Sequence, residues 1–149
     1  MTTLTTAIAA LQTVVVTSFA AQGAPMNTAE VITQSPFDIY KQVNTVYIYP
    51  NGGQDMATGL GYVNQYRDPR LTVEIMAGTY ANAEALTEAL RLAWINDFNV
   101  ENGSGAVGSG YLRAQGIKNL EIGLFAAAPW DDRGLVFRRK SFVILRIKD

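Results

Sequence analysis

Three groups of residues have types and spacings that could do chemistry. Gly103, Gly105 and Gly108 in ENGSGAVGSG (101–110) match the pattern G-x-G-x-x-G. A dinucleotide site needs a strand before that pattern and a helix opening inside it, so that backbone N–H groups meet a pyrophosphate. Here an amphipathic helical pattern lies upstream and small residues run on to Gly110, so the segment reads as a glycine-rich loop. It also lacks the Gly-Lys-Ser/Thr ending of a P-loop. Asp131 and Asp132 are adjacent carboxylates followed by Arg133. A hard cation takes six or more oxygen ligands, and no such spacing surrounds them, so a turn with a salt bridge is the expectation. Tyr47, Tyr49, Tyr62 and Tyr66 could stack bases, but few basic residues accompany them, and strand packing accounts for them.

The sequence contains neither histidine nor cysteine. That excludes disulfides, thiolate nucleophiles, Cys/His zinc sites and Ser-His-Asp triads. Acid–base catalysis near neutral pH would have to run on a strongly shifted carboxylate, lysine or tyrosine. The sequence therefore argues against an enzyme and calls for no cofactor and no metal. Twelve basic residues against thirteen acidic ones argue equally against a nucleic-acid coat and a polybasic membrane binder. The charge is unevenly spread, however. Residues 1–100 hold four basic and eight acidic side chains, and residues 101–149 hold eight basic and five acidic. The two parts can attract one another, within a subunit or between subunits.

The 149 residues, 48% of them hydrophobic, suit one domain with its own core. Leu4, Ile8, Leu11, Val15 and Phe19 lie on one helical face, with Thr2 or Thr3 as cap and Gly23 and Pro25 as stop. The segment has no basic leader, and its apolar run is interrupted and too short for a membrane span. It reads as a helix of the domain. Residues 24–42 give few signals and are expected to be a loop or an arm over a neighbour. NTVYIYPNGG reads as a strand ending in an Asn51-Gly52 turn, and Asp68-Pro69 as the turn of a second hairpin. NAEALTEALRLAWINDF reads as an amphipathic helix capped by Asn82, with Leu86, Leu90, Ala93, Trp94 and Phe98 inward. YLRA suggests a short helix ending near Gly116. The order implies an α+β domain: a mostly antiparallel sheet with an N-terminal helix and an amphipathic helix packed on it.

The last segment, RGLVFRRKSFVILRIKD, carries the main signal. Alternation sends Val143, Leu145 and Ile147 to the core, with Arg139 breaking that face near a rim. Arg138, Lys140, Phe142, Ile144, Arg146 and Lys148 take the other face, which is basic at both ends and apolar in the middle. A solvated face with two stray apolar residues would look the same. Two adjacent large apolar side chains within a charged rim favour a subunit contact.

The residues around this strand carry a resemblance. Tyr111, Leu112, Gly116 and Ile117, then Trp130, Asp131 and Arg133, then the alternating strand, resemble the C-terminal part of tailed-bacteriophage tail terminator (neck terminator) proteins. Gln65, Tyr66, Pro69, Arg70, Leu71, Thr72 and Val73, before an Ala/Leu-rich helix, are similar to that family's upstream strand. The similarity covers about residues 60–149 and departs from the family where Asp-Asp-Arg-Gly replaces a more usual Glu-x-Arg-Ala. The resemblance implies one tail-terminator-like domain over residues 1–149 and a virion protein assembled in the host cytoplasm. It implies a sixfold ring that caps the tail tube and joins it to the neck, without catalysis or cofactor. The partners it implies are further copies of the chain, the tail tube protein, a neck or head-completion protein and, in a contractile tail, the sheath. DNA would pass through the ring without specific binding, and no membrane is involved. Asp131, Asp132 and Arg133 join the outer residues of the last strand as the expected interface. The alternatives are a head-completion or stopper protein, another tail component, or a small-ligand-binding α+β domain.

Overall fold

The computed structural model describes residues 3–22, 31–32, 44–57, 65–127 and 137–148. Helix α1 spans Leu4–Gln22, and the Thr3 hydroxyl caps it, accepting the Thr6 N–H at 3.1 Å. Strand β1 (Val31–Ile32) is short, while β2 (Thr45–Ala57) and β3 (Gln65–Ala77) are long. Helix α2 (Tyr80–Phe98), the single-turn α3 (Tyr111–Ala114), β4 (Ile117–Ile122), β5 (Ala126–Ala127) and β6 (Phe137–Lys148) complete the order. The strands form one sheet in the order β1-β2-β3-β6-β4, with β5 also on β6. β1 runs parallel to β2, and every other pairing is antiparallel. The expected α+β class and mostly antiparallel sheet are what the chain adopts.

The main core lies on one face of this sheet. Val46, Ile48, Leu71, Val73, Ile75, Val143, Leu145 and Ile147 are buried there with Leu86, Leu90, Trp94 and Phe98 of α2 and Ile8, Leu11, Val15 and Phe19 of α1. A smaller buried cluster of Tyr47 and Met76, with Tyr49 against it, lies on the other face. The Trp94 indole N–H donates to the Leu11 carbonyl at 3.1 Å, so the polar atom of this buried side chain is satisfied where α1 meets α2. By length and composition Leu4–Ala21 would pass for a membrane span, which corrects the expectation that the segment is too short. Its apolar stripe is spent on the core.

Three turn and cap expectations are overturned. Asn51-Gly52 does not end a strand, and Asp68-Pro69 is not a turn. β2 and β3 run through both, paired to one another from Thr45↔Met76 to Ala57↔Gln65. The register shifts between Pro50 and Gly53, so Asn51 and Gly52 together oppose Arg70, a β-bulge. Gly53 has φ of 122°, and a Cβ there would stand 2.4 Å from the Asp68 carbonyl oxygen. Only glycine fits. Pro69 lies opposite Gly53, so the residue that cannot donate to a ladder sits beside the bulge. The α2 cap is Thr79 and not Asn82: Thr79 Oγ1 accepts the Asn82 N–H at 3.1 Å, and the Asn82 side chain donates to Asn44 Oδ1 at 3.4 Å. Within 24–42, β1 is the described part; the remainder of that expected loop or arm lies outside the described residues.

Candidate functional site

β6 is a central strand, held by β3 on one side and by β4 and β5 on the other. Its backbone is therefore committed, and whatever it offers a partner must come from side chains. Val143, Leu145 and Ile147 are fully or almost fully buried on the helix-covered face, as their alternation requires. Arg138, Lys140, Phe142, Ile144 and Arg146 project from the opposite face, opposite Met76, Glu74, Thr72 and Arg70 of β3 for the first four. The Lys148 backbone continues the strand opposite Tyr66, and its side chain lies outside the described residues. Asp131, Asp132 and Arg133, the remaining expected interface residues, lie outside them too, as does Trp130.

The cations on this face differ in what they touch. Arg138 forms an ion pair with Glu74, whose side chain is only 2% exposed. The other Glu74 oxygen accepts the Tyr49 hydroxyl at 2.7 Å. Burial first, and then the hydrogen bond it donates to Glu74, push the Tyr49 phenol up to about 12. Arg146 grips Asp68 with two bonds of 2.8 Å, the fork geometry that a guanidinium offers a carboxylate. Those bonds hold the Asp68 carboxyl below the usual carboxylate range against the opposing effect of burial. On the core face, Arg139 takes the rim position expected of it, bonding Glu84 at 3.0 Å and lying over the Tyr80 ring at 5.2 Å. Three basic residues of the C-terminal part thus bind three acidic residues of the N-terminal part, so the uneven charge is used within the subunit.

Among the described side chains of the strand, Lys140 is the exposed lysine. Beside it, the Arg70 guanidinium stacks over the Phe142 ring at 4.4 Å. The backbone of Gly123 lies against the same ring. A Cβ on Gly123 would come within 2.6 Å of it, while the Gly123 N–H donates to the Phe142 carbonyl at 2.9 Å. Phe142 is therefore partly sheathed and 36% exposed, with Leu124, 92% exposed, near it. Two concavities share Asn51 and Arg70 and together form a trough along β3 and β6. One of about 630 Å³ includes Asp68, Glu121, Ile144 and Arg146; one of about 310 Å³ includes Thr72, Leu124, Lys140 and Phe142. Among the described residues no cluster of carboxylates could hold a metal ion.

One organising residue has no signature in the sequence. Asp97 near the end of α2 is fully buried, and its carboxylate accepts the backbone N–H groups of Gly108 (2.7 Å), Tyr111 (3.2 Å) and Leu112 (2.8 Å). It ties the glycine-rich loop and the start of α3 to α2. Arg113 adds a 2.6 Å bond from Nε to the Phe98 carbonyl and lies 4.0 Å over the Phe98 ring. The YLRAQGI segment is thus a packing element, with Leu112 and Ile117 in the core. The G-x-G-x-x-G match follows a helix, as its context suggested, and its loop is structured.

No family model and no curated protein matches the sequence. A chain in a solved structure described as "Virion of native gene transfer agent (GTA) particle" is similar, with a TM-score of 0.49 and 15% identity. The match covers 93% of this chain and 94% of that one.

Proposed function

We propose that this chain is a structural virion protein of a phage-like tail. It assembles into a closed ring, sixfold by the family resemblance, that caps the tail tube and joins it to the neck. Its partners are further copies of itself, the tube protein and a neck protein, with the sheath added in a contractile tail. The observation that carries this reading is the outer face of β6. A central strand paired on both sides projects Lys140, Phe142 and Ile144 into a trough, while the helices packed in the core cover the other side of the sheet. An anchor of aromatic and aliphatic side chains beside an exposed cation is the composition of an interface core and rim. Asp131, Asp132 and Arg133 remain proposed contributors on the strength of the resemblance alone. The role assigns no catalytic group and no cofactor.

The test is to mix the purified chain with tail tubes and image the tube ends by electron microscopy. Rings seated on tube ends, lost in the Phe142→Asp variant while its circular dichroism is retained, support the reading. Bare ends with the wild-type chain refute it.

A further inference from the structure

The trough has a width, a length and a pattern of side chains, and these select an occupant. Its walls are Asn51 on β2 and, on the far side of β6, Leu124 and Ala126. Three strand spacings separate those walls, about 14 Å, which admits an α-helix of about 10–12 Å diameter. Along β6, Lys140 to Arg146 spans about 20 Å, the length of about thirteen helical residues. Among the described residues two helices, α1 and α2, are longer than that. The exposed stripe of α1 (Thr5, Ala9, Thr13, Thr17) has no charge to set against Lys140 and Arg70. The exposed stripe of α2 carries Glu84, Glu88 and Leu92 at intervals of four.

We infer that the trough receives helix α2 of a second copy of this chain, with Glu88 meeting Lys140 and Leu92 entering the concavity between Phe142 and Leu124. This rests on the ring reading and supplies its contact. The spacings agree. Glu88 and Leu92 are about 6 Å apart along a helix, and Lys140 and Phe142 about 7 Å apart along a strand. Glu88 already bonds Arg91 at 2.8 Å, but both side chains are exposed, so that bond holds it weakly and can be shared. α2 covers one face of the sheet and the trough lies on the other. One subunit therefore presents two different surfaces pointing away from each other. Such a contact is heterologous and repeats from copy to copy, the kind that closes into a ring when the rotation from one copy to the next completes a circle.

Sedimentation velocity on the full chain reads this contact. Lys140→Glu and Glu88→Lys are each expected to weaken assembly at least about tenfold by setting like charges against each other, and the double variant to regain it. Because the chain has no cysteine, a second measurement is clean: Leu92→Cys mixed with Leu124→Cys should give a disulfide-linked pair on oxidation, and neither alone should. Wild-type assembly with unaffected single variants, an unrestored double variant, or no mixed disulfide each overturns the inference and leaves the ring reading standing. A wild-type chain that assembles neither alone nor on added tail tubes overturns both.

Discussion

Arg138 and Lys140 are two residues apart on the same face of β6, yet replacing each by methionine should have opposite consequences. Arg138 is the ionic partner of Glu74, whose side chain is 2% exposed and whose second oxygen is held by Tyr49. Removing one member of such a buried pair leaves the other charge uncompensated, at a cost of about 3–5 kcal/mol. The Tyr49 bond survives in Arg138→Met, which favours the lower end, about 3 kcal/mol. In a domain of this size each kcal/mol moves the melting temperature by about 2–4 °C, so a fall of about 6–12 °C is expected. Lys140 is exposed, and Lys140→Met should stay within about 0.5 kcal/mol of wild type in stability while impairing assembly. Adding Glu74→Leu to Arg138→Met removes the stranded charge, and stability should return to within about 1–2 kcal/mol of wild type. Urea denaturation and thermal melts followed by circular dichroism measure all four proteins. An Arg138→Met loss below about 1 kcal/mol, or a double variant no better than the single, would refute the reasoning.

Three further outcomes are expected. Asp97→Ala strands three backbone donors, one of them fully buried, and should cost about 3–5 kcal/mol, with the amides of Gly108, Tyr111 and Leu112 losing hydrogen-exchange protection first. Gly53→Ala puts a Cβ against the Asp68 carbonyl at a positive φ; a stability equal to wild type in a urea titration would contradict the bulge. Spectrophotometric titration of the tyrosines should show one phenol ionising near pH 12. Its folded value lies above the ordinary 10.0, so its contribution to stability is complete below about pH 10 and is lost as pH rises through about 12.

Period-two alternation made β6 legible. Val143, Leu145 and Ile147 had to share a face, and burial demanded that it be the inner one. The α2 stripe was legible for the same reason at period 3.6. What the sequence hid was non-local. Asn-Gly-Gly and Asp-Pro are strong turn signals, but each lies in a strand opposite the other, and their pairing turns two apparent turns into one bulge. Asp68 and Arg146 are 78 residues apart, and Glu74 and Arg138 are 64 apart. No local pattern says that these arginines are committed while Lys140 is exposed. Asp97 carries no local signal, because its three partners are backbone groups that have no sequence identity.

The central claim is self-assembly into a ring that seats on a tail tube. Sedimentation velocity of the purified chain over a wide concentration range, with and without tube, tests it most directly. The account predicts one closed species of about six copies, formed by the chain alone or on contact with tube ends, and weakened as salt rises. A chain that stays monomeric at high concentration and does not co-sediment with tube contradicts it.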